Sequence, residues 1–240
     1  MAINTPYDKF LVVAIVCCFL SVLTTLGIHS NLFDLGELSF DDRIRLFENS
    51  KYIANRFWII IHCLFVLIAM LGFLLIQFKK SRGFTILGFV FFAVFAFTEI
   101  FRQMFVFFYM NNLRRSYLET DSEAMREIIQ VSMDHAGLIG YALFGLFIVA
   151  FALGNICYGI SLLGNNKIDR ILAYLLLIWG FGNLLAFGNE FWTSESIGHF
   201  VEYFSIIYQP IMRVLVGLWM LHKFKRITVS EGAGNNTYSA

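Results

Sequence analysis

The stretch from Phe84 to Tyr109, FTILGFVFFAVFAFTEIFRQMFVFFY, limits what this chain can fold into more than any other. As a helix rising ~1.5 Å per residue it exceeds the ~30 Å hydrocarbon core of a bilayer. It also carries Glu99, Arg102 and Gln103. A charge at the centre of a membrane helix costs roughly 2.5–3.5 kcal/mol on insertion scales. Offsets of three and four residues put these three side chains on one helical face. That face must therefore point at protein or water and not at lipid.

Five other apolar runs accompany it, so the pattern predicts an all-α, polytopic membrane helix bundle of six transmembrane helices. The spans are expected at residues 10–28, 57–78, 84–109, 135–163, 171–191 and 203–222, forming one domain over 1–226. A polar, disordered tail is expected over 227–240. Composition agrees: charged residues make up 15% of the chain, well under the ~25% of soluble domains, and phenylalanine alone supplies 28 of 240 residues. A signal peptide is the rival reading of the first run, but no A-x-A-like cleavage site follows it. A net charge of +1 without a basic, aromatic-interleaved patch gives no nucleic-acid partner. Cys17, Cys18, Cys63 and Cys157 all fall in apolar runs and match neither a disulfide framework nor a metal spacing. They read as buried free thiols.

The connections set an orientation. Lys79, Lys80 and Arg82 form a tight basic turn, and the positive-inside rule places it in the cytoplasm. Lys9, Lys167 to Arg170 and Lys223 to Arg226 then fall on the same side, giving nine basic residues and three acids there. The outer side has seven basic residues against thirteen acids. Both termini are thus expected in the cytoplasm. Trp58 and Trp192 would mark the outer interface and Trp219 the inner one. Ser39 to Asp42 has capping-box form, which predicts a short amphipathic helix in the first outer loop, 29–56. A second outer helix, capped by Asp121 or Ser122, is expected within 110–134. The fourth span is rich in glycine, with the small-xxx-small pairs Ala136/Gly140 and Ala150/Gly154. These predict close helix approach and a place near the middle of the bundle.

Depth along each span exposes an asymmetry. His62, then Glu99, Arg102 and Gln103, then Asn183, Asn189 and Glu190 all sit in outer halves. On the sixth span Glu202, Ser205, Gln209 and Arg213 recur at three- and four-residue steps, beside Pro210. The inner halves carry little beyond Asn155, Tyr158 and Ser161. The reading that follows is a polar cavity open to the outer side, with Glu99, Arg102, Gln103, Asn183, Gln209 and Arg213 as ligand-binding residues. Two arginines against one mid-membrane glutamate favour a small polar or anionic ligand, since a guanidinium fork suits carboxylate or phosphate. Such a protein binds, senses or assists transport. The competing reading is a dry lattice in which Glu99 pairs with Arg102 or Arg213 and only fixes helix register.

Two further alternatives come from other classes. No cofactor is predicted, but His62, His135 and His199, with Glu99 or Asp134, have the ligand types of a zinc or haem site in a membrane-embedded enzyme. They come from separate segments and lack an H-x-x-x-H spacing. There is no G-x-S-x-G motif and no phosphate-binding glycine loop. The other alternative is a structural subunit of a membrane complex, and an oligomer is compatible with the sequence. No inverted repeat relates the two halves, which leaves secondary transport without support.

The segment AVFAFTEIFRQ, the glycine-rich fourth span, and a short basic turn leading into RILAYLLLIWGFGNLL carry a family likeness. The chain resembles the bacterial six-helix membrane proteins of the domain of unknown function 4386 family. The paired charges of that family match Glu99 and Arg102. The resemblance implies a bacterial inner membrane and no known activity.

Overall fold

The computed structural model describes residues 5–29, 33–164 and 166–235, without the side chains of 227–235. These residues form eight α-helices and no strand: α1 (Pro6–His29), α2 (Phe40–Ile44), α3 (Ser50–Gln77), α4 (Arg82–Phe105), α5 (Asn111–Glu119), α6 (Glu123–Leu162), α7 (Lys167–Trp192) and α8 (Glu195–Asn235). Six of them, α1, α3, α4 with its continuation, α6, α7 and α8, are long and apolar enough to cross a membrane. The chain is an all-α, multi-pass membrane protein.

Each spanning helix packs on the one before and the one after it in the chain, and α8 closes back onto α1. The result is a ring of six helices with antiparallel neighbours. One end of the ring holds the tight connections after α3 and α6. The opposite end, here the loop end, holds the connections after α1, α4 and α7. The turn-end half is filled by aromatic packing. Phe73 stacks between Tyr158 (4.2 Å) and Trp219 (4.5 Å). The Tyr158 hydroxyl donates to the Met70 carbonyl at 2.8 Å, and Gln77 Nε2 donates to the Ser161 carbonyl at 2.8 Å. Tyr158 and Gln77 thus find backbone acceptors on a neighbouring helix, while Asn155 and Ser161 donate to carbonyls of their own helix. The outer surface is apolar as well, with Phe97, Phe101, Ile178 and Phe181 exposed.

The helices outrun their apolar runs because polar caps extend them into the interface. Asn49 accepts from the Tyr52 amide, so α3 begins at Ser50 and not at 57. Ser39 and Asp42 form the reciprocal capping box of α2. Ser122 caps a single 40-residue helix, α6, in which the expected outer helix and the fourth span are one continuous element. The loop expected over 192–202 shrinks to Thr193 and Ser194, with Thr193 in the left-handed region at φ 50°. α8 continues to Asn235, into the segment expected as a disordered tail, and 236–240 lie outside the described residues. α4 ends in a π-turn, Val106–Met110, where the Val106 amide is shared between the carbonyls of Arg102 and Gln103.

Two packing expectations are revised. α6 is not central; it lies between α4 and α7 in the ring. Its close approaches are Gly154 to the Phe92 ring and Gly159 to Leu177, whereas Gly140 faces open space. Trp219 is no interfacial belt residue. It is 3% exposed and donates from Nε1 to Asp169 at 2.7 Å, and Lys223 Nζ completes that buried pair at 2.7 Å. This ion pair lay hidden in the basic turns, because an acid next to Lys167 and Arg170 reads as a solvated loop residue.

Candidate ligand-binding cavity

The loop-end half of the ring encloses a cavity of about 480 Å³, lined by residues from all six spanning helices. Its walls are largely apolar, built from Phe95 on α4 and Phe147, Ile148 and Phe151 on α6. Glu99 and Arg102 on α4, His62 on α3 and His29 on α1 add polar groups, and the rest come from α7 and α8. The α8 stripe Glu202, Ser205, Gln209 and Arg213 descends from the loop end inward, and Asn183, Asn189 and Glu190 climb α7 beside it. A three- and four-residue repeat keeps such a stripe on one helical face.

Arg213 forms the floor. It is buried, 2% exposed, and no carboxylate pairs with it among the described residues. Its Nη2 meets His62 Nε2 at 3.3 Å, and His62 Nδ1 meets Thr24 Oγ1 at 2.7 Å. A guanidinium only donates, so Nε2 must be the acceptor and Nδ1 must carry the proton. Thr24 accepts that proton and donates in turn to the Ser21 carbonyl at 3.1 Å. His62 is thereby fixed as the neutral Nδ1–H tautomer and adds no second positive charge beside Arg213. Arg213 also lies over the Trp179 ring, 5.7 Å from its centroid. Its Nε and Nη1 have no acceptor among the described residues. A buried polar group in that condition is rare and calls for an explanation.

Glu99 is in the opposite condition. Buried at 2% exposure, its carboxylate accepts from Arg102 Nε at 2.8 Å and Nη2 at 2.7 Å, a bidentate pair. Gln103 Nε2 adds a third bond at 2.5 Å. Gln103 Oε1 then accepts from Arg56 Nη1 at 3.1 Å, and Arg56 stacks on Tyr52, 4.6 Å from the ring centroid. Arg102 is the partly exposed member and lies over Phe144 at 5.4 Å. The network Arg56–Gln103–Glu99–Arg102 ties α3 to α4 and satisfies the Glu99 carboxylate, although Arg56 Nε is left without an acceptor among the described residues. It places Arg102 at the cavity wall.

Of the six residues expected to bind ligand, Glu99, Arg102, Asn183, Gln209 and Arg213 line the cavity. Gln103 does not; it is wholly buried behind Glu99 as a bridge to Arg56. Asn183 donates from Nδ2 to the Trp179 carbonyl on its own helix at 2.7 Å, which leaves Oδ1 and the second amide N–H for a ligand. Of the histidines expected to gather at a metal, His62 lines the cavity, while His135 and His199 are exposed and outside it. Among the described residues no three His, Cys, Asp or Glu side chains are grouped as a metal site. Separate helices carry the three histidines, and their depths and rotations in the ring differ. All four cysteines are buried and free.

Sequence reasoning missed Arg56 and Thr24. Arg56 sits before the apolar run of α3 and read as a loop residue; its signal is that it lies in helical register with Tyr52, four residues earlier. Thr24, with Ser21 and Thr25, read only as making the far half of the first span more polar than its start. Family models, curated proteins and solved structures were each compared with the chain, and none matches it.

Proposed function

We propose that the chain binds a small anion or carboxylate-bearing polar molecule in this cavity, as a binding, sensing or transport-accessory protein of the membrane. The observation that supports it is Arg213: a buried cation with no carboxylate paired to it among the described residues, at the floor of a cavity, beside a neutral histidine. An anionic ligand supplies the missing charge, and Arg102 and the Asn183 and Gln209 amides flank its path. The nine basic residues on the turn-end side support a cytoplasmic assignment of that side and of both termini, with the cavity opening outward. The resemblance to the domain of unknown function 4386 proteins points to a bacterial inner membrane.

The test is thermal unfolding of purified protein with sn-glycerol 3-phosphate or succinate, beside Arg213→Gln. The reading expects at least one anion to raise the midpoint of the wild type and to leave Arg213→Gln unmoved. Equal shifts in both proteins, or none in either, refute it.

A further inference from the structure

A second concavity lies on the outer flank of the ring, between α6 and α7. It has a volume of about 440 Å³ and is lined by Ala142, Gly145, Leu146, Val149, Phe187 and Phe191, among others. Phe191 and Leu146 are exposed at 72% and 49%, so this groove faces the hydrocarbon around the protein. Its boundaries are specific. Toward the turn end α6 and α7 are clamped: a Cβ on Gly180 would lie 2.8 Å from the Ala152 carbonyl oxygen. Toward the loop end the Tyr141 hydroxyl donates to the Glu190 carboxylate, a latch across the two helices. Between latch and clamp the window spans eleven residues of α6, or ~16 Å of helix.

Phe144, Ile148 and Glu190 line both this groove and the central cavity. These three side chains form a wall common to the groove and to the cavity floored by Arg213. The Arg102 guanidinium rests on one of them, Phe144. We propose that the ligand is an anionic lipid entering sideways between α6 and α7. Its phosphate or carboxylate headgroup reaches into the cavity toward Arg102 and Arg213, and its acyl chain stays in the α6/α7 groove. This rests on the anion-binding reading above and names the class of ligand. A groove against lipid has acyl chains at hand, a buried unpaired guanidinium needs an anion, and the two concavities share a wall. The mostly apolar cavity lining suits an amphiphile better than a fully hydrated ion.

The experiment uses the full chain in phosphatidylcholine nanodiscs, with two probes of the same headgroup chemistry: 1-oleoyl lysophosphatidate and sn-glycerol 3-phosphate. Apparent affinities are read from the shift of the unfolding midpoint. Ala142→Phe fills the groove from an exposed position. It is expected to weaken lysophosphatidate at least tenfold, the effect of about two lost buried methylenes, and to leave glycerol phosphate binding unchanged. That unchanged binding also reports that the variant is folded. Arg213→Gln is expected to lose both probes. If Ala142→Phe binds the lipid as the wild type does, the lateral route is wrong while the anion site stands. If the wild type binds neither probe, both readings fall.

Discussion

Replacing Arg213 with methionine should make the ligand-free protein more stable, which is the reverse of what deleting a buried charged residue does when that residue is paired. Moving an ion out of water into a protein interior has an effective penalty of several kcal/mol. The wild type offsets only part of it. One hydrogen bond to His62, long at 3.3 Å, returns about 1.5 kcal/mol. The contact with Trp179 at 5.7 Å adds about 1 kcal/mol. No carboxylate is left behind when the arginine goes, because none is paired with it among the described residues. The main new defect is His62 Nε2 without a donor, at about 1 kcal/mol. The balance is a gain of about 1–3 kcal/mol for Arg213→Met, a rise of roughly 3–10 °C for a chain of this size. The assay is thermal unfolding in detergent without added anion. The order should narrow or invert once an anion is present, since a ligand at a hundred times its Kd stabilises the wild type by about 2.7 kcal/mol. A loss of ~2 kcal/mol or more in the anion-free variant would refute the argument, for it would mean that the guanidinium holds the ring together.

Glu99 should behave in the ordinary way. Glu99→Gln removes a bidentate bond and strands Arg102, with an expected loss of about 2 kcal/mol, kept below the fully buried range because Arg102 is partly exposed. Exchanging the pair, Glu99→Arg with Arg102→Glu, should recover about half of that in chemical or thermal unfolding; a swap no better than the single variant would show that the network depends on Gln103 and Arg56 more than on charge. Two glycines should separate cleanly. Gly180→Ala drives a Cβ into the Ala152 carbonyl and Ile156 and should lose about 1–3 kcal/mol. Gly140→Ala, with open space around it, should gain up to about 1 kcal/mol of helix stability; a loss there would mean that something covers that face.

Much of this protein is written in single helices. Apolar length set the six spans, and the caps at Ser39, Asn49 and Ser122 are local chemistry that a sequence displays. The three- and four-residue steps of Glu202, Ser205, Gln209 and Arg213 put them on one face whatever the neighbours do. The outer bias of polar residues then gave the depth of the cavity. Tertiary structure decided the pairings. It gave Glu99 to Arg102 and left Arg213 without a carboxylate. It turned Gln103 away from the cavity toward Arg56, kept His135 and His199 apart from His62, and buried Asp169 with Lys223 and Trp219. The physical reason lies in the solvent. A membrane helix meets lipid on one side and packed side chains on the other, and both are equally apolar. Its apolar positions therefore do not mark which face turns inward, and only a polar stripe such as that of α8 does. The exact rotation of each helix is fixed only when the helices pack, and it decides which charges meet.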